Sequence, residues 1–477
     1  MKNSHKLVTI ICLTGLLYFS CKPTKVVTKE KAPNFILILT DDQGWNGTSV
    51  QMMDEEIYSK SDYHHTPNLE KFAKRGMRFS SAYASAPVCS PSRYSIQFGQ
   101  TPARLKMIRV GMNTNHIQHE TSYTIPKLLK NINSNYKTAH FGKWGIDVDP
   151  SILGYDESDG ITGNKDGGFD FKSNKNQWKN NIREDPKKIF STTKKAINFI
   201  ERKAKSKEPF FLQISHYAVH SDIMLRKETL EKYKNKVKGK YQNHEGFAAM
   251  TEDLDTGVGL LLDRVKALGL EGDTYIIYTS DNGAVPVMPP RRFYKKGSNF
   301  PLSRGKWDAM EGGIRVPFVI AGPKIKSGIE SKIPITFSDL LPTIADIAGY
   351  KLPLKDNLDG GSLKNILAND GKGNIKRFSE GLIFHVPYEN GIAIKRAHSA
   401  IIIDNFKLIK FYNNNQLMLF DVVNDIAENS NLVDSLPEKV LELELLLDSY
   451  LSKVKAPKWQ PGISWKNKPI EIFNSYH

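Results

Sequence analysis

The chain has 477 residues, of which 40% are hydrophobic and 25% are charged, and these values predict a soluble globular protein with one large domain and a smaller one. Basic residues outnumber acidic residues by 67 to 51, and the net charge of +16 suits an anionic partner, although a solvated basic surface has the same composition. The sequence has no recognition-helix motif and no aromatic RNA-binding signature, so nucleic acid is not predicted as that partner.

The N-terminus has the features of an export signal. Lys2 and Lys6 accompany an apolar run over residues 7–19 that is too short for a comfortable membrane span. The run ends at Ser20-Cys21, which resembles a bacterial lipoprotein cleavage site. We therefore predict a signal peptide over residues 1–20, a tether over 21–32, and a lipid on Cys21. That lipid would hold the exported protein in the periplasm or at the cell surface, on the outer membrane, with plain secretion as the alternative.

Apolar runs rich in β-branched and aromatic residues predict buried parallel strands at 34–39, 209–214, 274–279 and 316–322. Helical patterns lie between them, including one that starts after Thr66 and a longer one over 245–269. This alternation predicts an α/β fold over residues 33–350, in which helices flank a large, mostly parallel sheet.

A different pattern begins after residue 350. A connecting segment rich in Gly, Asn and Lys covers residues 351–374. Hairpin-like runs and a helix near 437–453 follow it. They predict a smaller C-terminal α+β subdomain with an antiparallel sheet over residues 375–477.

Acidic and amide side chains follow two of the predicted strands. Asp41 and Asp42 come directly after the first strand, and Asp281 and Asn282 follow the strand at 274–279. Open parallel sheets bind ligands at the carboxyl ends of their strands, so these four residues are expected to meet there. Hard oxygen ligands suit Ca²⁺, or less well Mg²⁺, although either pair alone is also typical of an ordinary turn.

Basic side chains occupy similar positions. Lys143 follows a short predicted strand, His216 and His220 follow another, and Lys306 lies shortly before the strand that begins near residue 316. His216 is interpreted as a structural neighbour of His220. Metal ligands and cations together predict a pocket for the ester of a tetrahedral oxyanion.

Cys89 is the one cysteine outside the first 21 residues, and it precedes the sequence Ser-Pro-Ser-Arg. Without a disulfide partner, a thiol in an oxidising compartment is a liability. Pro91 suits a first helical turn, so we predict a helix that starts here with Ser90 as its cap. A helix N-terminus would lower the pKa of the Cys89 thiol and favour a nearby anion.

The segment CSPSR at residues 89–93 resembles the Cys-x-Pro-x-Arg signature of type I sulfatases, which are members of the alkaline phosphatase superfamily. Further segments similar to theirs follow in the expected order over nearly the whole mature chain: HFGKWG, YTSDNGA, EGGIRVP and FSDLLPTIADIAG. The resemblance, which is to bacterial polysaccharide sulfatases of the lipoprotein type, implies that a maturation enzyme oxidises Cys89 to formylglycine. Its hydrate would attack the sulfur of a sulfate ester at a Ca²⁺ site.

The resemblance also implies a role for each matching residue. The metal ligands would be the modified Cys89 together with the two pairs that follow the strands: Asp41, Asp42, Asp281 and Asn282. Arg93 would hold the formylglycine hydrate and the metal-site carboxylates. Lys143 and Lys306 would bind sulfate oxygens, and His220 would assist the departing alcohol as a general acid or hydrogen-bond donor.

Three positions depart from the family pattern. Gly145 stands where many sulfatases carry a histidine that helps to deprotonate the hydrate, so the base for that step is unassigned. Phe98 replaces a threonine, a change expected to affect packing, and Gln100 replaces a basic residue. A phosphonate or phosphodiester hydrolase and a catalytically silent glycan-binding protein remain alternatives. The intact Cys89, Arg93 and metal ligands favour the sulfatase.

The substrate is expected to be a sulfated polysaccharide or its oligosaccharides. Between Asp281 and Lys306 lies a basic segment that interleaves cations with aromatic rings: Arg291, Arg292, Phe293, Tyr294, Lys295 and Lys296. Such a mixture can pair with anions and stack on a sugar face, although a solvated basic loop is the alternative. His385 and Tyr388 of the C-terminal subdomain are predicted to add further contacts.

Overall fold

The computed structural model describes residues 31–170, 176–286, 288, 298–350, 358–389 and 396–461. The predicted signal peptide and Cys21 lie outside these ranges. Among the helices that are described, none has the length and apolar character needed to cross a membrane.

Strands and helices alternate through most of the described chain. The strands are β1 (Asn34–Thr40), β2 (Met77–Phe79), β3 (Ala82–Tyr83), β4 (Lys137–Gly142), β5 (Glu157–Ser158), β6 (Asn181–Ile182), β7 (Phe210–Ser215), β8 (Met224–Leu225), β9 (Thr274–Ser280), β10 (Phe318–Ala321), β11 (Ile329–Ser331), β12 (Ile335–Thr336), β13 (Leu382–Val386), β14 (His398–Ile403), β15 (Phe406–Phe411) and β16 (Leu417–Asp421). The α-helices are α1 (Pro67–Arg75), α2 (Cys89–Phe98), α3 (Pro102–Leu105), α4 (Ile125–Ile132), α5 (Ile189–Ser206), α6 (Lys227–Lys234), α7 (Glu245–Ala267), α8 (Glu311–Ile314), α9 (Leu340–Ile347), α10 (Lys364–Ala368) and α11 (Pro437–Lys453).

The large sheet has eight strands in the order β11-β2-β10-β9-β1-β7-β4-β5. Strand β1 runs parallel to both of its neighbours, β7 and β9, and β4 is parallel to β7. Alternate residues of β1 enter two different hydrophobic cores, Leu37 on one face and Ile38 on the other. Burial on both faces explains why the strand reads as a continuous apolar run. The predicted α/β fold with a mostly parallel sheet is confirmed.

The run at 316–322, predicted as a parallel strand, has the opposite direction. It forms β10, which is antiparallel to both β9 and β2. An apolar run indicates that a strand is buried on both faces of a sheet, but it does not indicate the direction of the strand. The parallel direction predicted for this run could therefore not be checked from the sequence.

The C-terminal part contains the predicted antiparallel sheet, with strand order β13-β14-β15-β16. One face packs against α11, where Leu408 of β15 shares a core with Leu443 and Leu447. From the other face, Phe384 and Ile409 enter the same core as residues of β1. The C-terminal sheet is therefore packed between its own helix and the core of the large sheet.

Candidate active site

The carboxyl ends of β1 and β9 bring the two predicted metal pairs together. Thr40 and Ser280 are paired in parallel register, so the residues that follow each strand are neighbours. The amide of Asp42 donates to Oδ1 of Asp281 at 3.2 Å, and Nδ2 of Asn282 donates to Oδ1 of Asp42 at 2.8 Å. All of these side chains are buried.

Cys89 is the first residue of α2, and its sulfur faces this cluster. Sγ lies 3.7 Å from Oδ1 of Asp41 and 4.0 Å from Oδ1 of Asp42. Ligand atoms of Cys89 and the three carboxylates all lie within 4.8 Å of one another. Oδ1 of Asn282 is buried with no hydrogen-bond partner among the described residues, so it is available as a further oxygen ligand. This donor set fits a hard divalent cation.

The start of α2 differs from the prediction. Val88, not Ser90, occupies the cap position, and Ser90 lies inside the first turn. Ser92 is the serine that ties the helix to the preceding loop, because its Oγ accepts from the amide of Ala86 and donates to the carbonyl of the same residue. The helix therefore begins two residues earlier, at Cys89, than it would with Ser90 as its cap.

The Cys89 thiol also differs from the prediction. Burial raises its pKa to about 12, and the nearby Lys143 and Lys306 offset this effect only in part. The expected lowering by the helix N-terminus is therefore wrong for the unmodified side chain, since removal from water disfavours the thiolate more than the local cations favour it.

Each predicted lysine pairs with one carboxylate of the cluster. Lys143 follows β4 and donates to Oδ2 of Asp41 at 2.6 Å. Lys306 donates to Oδ2 of Asp42 at 2.7 Å. Burial opposes the charged form of both carboxyls, but the lysines, with His220, hold the pKa of each below its ordinary value.

Arg93 completes the charge balance. Its Nε donates to Oδ2 of Asp281 at 2.9 Å, and its guanidinium also donates to the carbonyl oxygen of Lys143. The three carboxylates and the three cations cancel one another, so a divalent cation would leave the pocket positive. Such a charge would favour a tetrahedral anion beside the side chain of Cys89.

His220 points one ring nitrogen toward the cluster. Its Nδ1 lies 2.6 Å from the carbonyl oxygen of Ser221 and donates to it, which directs Nε2 to a position 3.7 Å from Oδ2 of Asp42. Burial lowers the pKa of His220 to about 4, against the attraction of Asp42. Transfer of a proton from Nε2 therefore requires the doubly protonated ring. His216 is buried outside this group of contacts, with its amide bonded to Leu39.

The backbone conformation and the close packing at position 145, where many sulfatases carry a histidine, both favour glycine. The φ of Gly145 is 68°, in the left-handed region, and a Cβ there would lie 2.9 Å from Cδ of Arg93. A side chain at this position would have to displace the arginine that holds Asp281.

Two of the predicted glycan contacts, His385 and Tyr388, lie in the described part of the chain and pack away from this cluster. Arg291, Arg292 and Tyr294 lie outside the described residues. His385 is buried in β13, where its ring nitrogens lie 2.6 Å from Oγ of Ser399 and 2.7 Å from the carbonyl oxygen of Pro457. Tyr388 is buried beneath the guanidinium of Arg109. As substrate contacts, these residues remain predictions.

Sequence reasoning missed the residues that surround His220. Nδ2 of Asn164 lies 3.4 Å from Nε2, and the ring of Phe169 packs edge-on at 4.9 Å between centroids. Asp222 and the buried Lys187 lie in the wall of an adjoining cavity. Asp222 could have been found because it lies two residues after His220 in the sequence. Asn164, Phe169 and Lys187 are distant from His220 in the sequence, and no local pattern indicates them.

Comparison with known proteins agrees with this geometry. A family model described as sulfatase matches residues 33–350, and one described as the C-terminal part of N-sulphoglucosamine sulphohydrolase matches residues 306–456. The N-acetylgalactosamine-6-sulfatase of Mus musculus is 28% identical over 75% of this chain and 69% of that protein. The ulvan-active sulfatase of Formosa agariphila is 26% identical over 95% of this chain and 88% of that protein.

Solved structures show the same fold. The crystal structure of Ps i-CgsB in complex with k-i-k-neocarrahexaose has a TM-score of 0.72 and 25% identity, over 93% of this chain and 96% of that one. The fold and the buried cluster define a hydrolase of the alkaline-phosphatase-like class. The chain belongs to the sulfatase family and is a sulfuric ester hydrolase.

Proposed function

We propose that the protein removes sulfate from polysaccharides or their oligosaccharides, with an oxidised Cys89 as the nucleophile. The observation that carries the proposal is the buried cluster in which Cys89 faces the Asp41, Asp42 and Asp281 carboxylates. The resemblance of residues 89–93 to the sulfatase signature supports conversion of Cys89 to formylglycine by a maturation enzyme. The hydrated aldehyde would supply a hydroxyl group where the unmodified side chain offers a buried thiol.

The cation is proposed to be Ca²⁺. Three carboxylates and one free amide oxygen are hard ligands from side chains alone, a set that Ca²⁺ accepts more readily than Mg²⁺, which keeps several waters. When bound, the ion would stabilise negative charge on oxygen atoms at the centre of the cluster.

The remaining roles belong to the cations and His220. We propose that Lys143 and Lys306 bind sulfate oxygens, which their positions beside Asp41 and Asp42 allow. Arg93 holds the Asp281 carboxylate and the modified residue 89 in place. His220 donates from Nε2 to the oxygen of the departing alcohol, which requires that the negative charge of the bound substrate raise the low pKa of the buried ring.

The glycan substrate is supported by the relatives. Two of them are named N-acetylgalactosamine-6-sulfatase and ulvan-active sulfatase, and one solved relative is in complex with k-i-k-neocarrahexaose. The basic segment with Arg291, Arg292 and Tyr294 is proposed as a contact for anionic flanks. Replacement of the four basic residues by serine is expected to raise KM for the polymer and to leave KM for an aryl sulfate nearly unchanged. The four are Arg291, Arg292, Lys295 and Lys296. Equal effects on both substrates would contradict this role.

The cellular location is a further proposal. Export and a lipid anchor at Cys21 would place the enzyme in the periplasm or on the cell surface, where polymeric substrates are accessible. Cys21→Ala is then expected to move the protein from the membrane fraction of native cells to the soluble fraction, since several acyl chains hold a protein firmly. Wild type in the soluble fraction would support plain secretion instead.

A metal experiment tests the proposed chemistry. Asp281→Asn removes an anionic ligand, so release of sulfate is expected to fall at least a hundredfold, and Ca²⁺ is expected to restore wild type treated with a chelator. Full activity of metal-free protein would contradict the proposal. An aryl phosphodiester assayed in parallel separates a sulfatase from a phosphodiester hydrolase. Binding of a sulfated glycan without any turnover would identify a silent binding protein.

A further inference from the structure

A polar cavity of about 570 Å³ is lined by chain neighbours of the residues that surround His220. Asp222 lies in its wall, and so do residues 165–168 of the turn that starts at Asn164. Asn164 and Phe169 contact the imidazole ring itself. The cavity has the volume of a typical small-ligand site, and Asp222 connects its wall to the histidine that we place at the departing alcohol. The sugar that carries the scissile ester would therefore enter this space.

Lys187 is the unusual residue of this wall. Only 2% of its surface is exposed, and no hydrogen bond or ion pair joins its amine to any residue within the described ranges. Burial lowers its pKa to about 8, and the charges that act on it include Asp222 and Asp41. Most molecules therefore carry a charged amine here at neutral pH, near the catalytic cluster.

Two further polar atoms around His220 lack partners. Oδ1 of Asn164 and Oδ1 of Asp222 are buried, and neither has a hydrogen-bond partner among the described residues. Native proteins leave few buried polar groups unpaired, and a buried charge without a partner is costly. One cationic donor and two acceptors thus remain for a ligand in the same region.

We infer that Lys187 binds a second anionic group of the substrate, a sulfate or a carboxylate on the sugar that carries the scissile ester or on the sugar linked to it. Asn164 and Asp222 accept hydrogen bonds from hydroxyl groups of the same sugar. This inference rests on the proposed function and adds a rule for which substrates the enzyme prefers. The preferred substrate carries two anionic groups close together.

Oligosaccharides of one backbone test the rule. They carry one sulfate, two sulfates, or one sulfate and one carboxylate, and kcat/KM is measured for each by release of sulfate. Wild type is expected to prefer the substrates with two anionic groups, and the preferred form shows whether the second group is a sulfate or a carboxylate. Lys187→Met is expected to reduce this preference at least tenfold, mainly through KM.

Two further variants make the comparison specific. Lys187→Arg keeps the positive charge and is expected to keep most of the preference. Lys194→Met is the matched control, because Lys194 is exposed to solvent on α5 and is not among the residues that line the cavity, and its loss is expected to change kcat/KM less than twofold. The same preference in wild type and Lys187→Met would overturn the inference. Lys187→Gln repeats the test if the methionine variant folds poorly.

Binding to protein with Cys89→Ala gives a readout without turnover. Calorimetric titration with the preferred doubly anionic oligosaccharide is expected to show a Kd at least tenfold weaker when Lys187→Met is added, and an equal Kd would overturn the inference. No release of sulfate by wild type from any of these compounds would contradict the proposed function. Release of sulfate with an unchanged preference would contradict this inference alone.

Discussion

At the scale of single residues, Gly145 and Arg93 constrain each other. Gly145 has a φ of 68°, and an added Cβ would approach Cδ of Arg93 to 2.9 Å. The guanidinium of Arg93 in turn holds Asp281. The departure from the family pattern at this position is therefore coupled to the position of a residue that organises the site.

Gly145→Ala is expected to lower kcat/KM for sulfate release at least tenfold. The left-handed backbone disfavours a side chain by about 1–2 kcal/mol, and the new methyl group displaces Arg93. Gly269→Ala is the matched control, because Gly269 has a φ of 66° with no atom within 4 Å of an added Cβ. Unchanged activity of both variants would show that Arg93 is not held from this side.

The meeting of the two metal-ligand pairs could be predicted from the sequence, whereas the pKa of the Cys89 thiol could not. Two parallel strands end at the same edge of a sheet, so Asp41 and Asp281 could be placed together from their positions after apolar runs. The pKa of Cys89 depends on how completely folding removes the thiol from water, which no local pattern records. Lys187 was missed for a similar reason, since its burial is a property of the assembled turns around it.

At the scale of elements, α7 caps α1. Oδ1 of Asp255 accepts from the amide of Leu69 at 2.8 Å, and Oδ2 accepts from the amide of Asn68 at 3.0 Å. Thr66 occupies the predicted cap position, but its hydroxyl accepts from the amide of Ser49 instead. The first turn of α1 is therefore satisfied by a side chain from another helix, which the local sequence of α1 could not reveal.

Asp255→Ala is expected to lower the free energy of unfolding by about 2 kcal/mol, because it leaves buried amides at the start of α1 without acceptors. Urea unfolding followed by circular dichroism measures the change. Asp263→Ala, an exposed position on the same helix, is expected to change stability by less than about 0.5 kcal/mol. Equal losses in the two variants would mean that removal of any carboxylate from α7, and not loss of the cap on α1, causes the effect.

At the scale of the whole molecule, a buried ion cluster joins the C-terminal sheet to the rest of the fold. The amine of Lys407, from β15, lies 3.0 Å from Oε1 of Glu311 and 2.8 Å from Oε1 of Glu428. Glu311 belongs to α8 and also pairs with Arg315. A buried network of this kind couples the stability of the two parts, so they are expected to unfold together.

Lys407→Met is expected to cost about 3–5 kcal/mol of stability, because it leaves carboxylates buried without their cation. Lys410→Met, on the same strand, removes partly exposed pairs with Glu444 and Asp448 and is expected to cost about 1 kcal/mol or less. Differential scanning calorimetry measures the loss of stability in each variant. Wild type is expected to show a single unfolding transition. A separate transition of the C-terminal part in wild type would contradict the coupling.

Buried histidines predict how stability depends on pH. Burial lowers the pKa of His64, His216, His385 and His398 to about 4 in the folded protein. Near pH 6.5 and below, the unfolded chain binds protons that the folded protein does not, so the free energy of unfolding falls as pH falls from 6.5 toward 4. Each such histidine contributes up to about 1.4 kcal/mol per pH unit in this window.

His398 isolates one of these contributions. Its Nε2 accepts from the amide of Ala309 at 2.9 Å, an interaction that protonation removes. The free energy of unfolding is measured with urea at pH 7.5, 6.5 and 5.5. Its slope against pH below pH 6.5 is expected to be smaller in His398→Gln than in wild type, by the equivalent of about one proton. The same slope in both proteins would mean that His398 is not held neutral by the fold.

The nucleophile can be tested by comparing protein preparations that contain different fractions of oxidised Cys89. Mass spectrometry of the peptide that contains residue 89 gives the fraction of aldehyde in each preparation, and release of sulfate from a sulfated oligosaccharide gives its activity. We expect activity to rise in proportion to the aldehyde fraction and to vanish where residue 89 is entirely a thiol or is replaced by alanine. Full activity in protein with an unmodified Cys89 thiol would contradict the proposed mechanism.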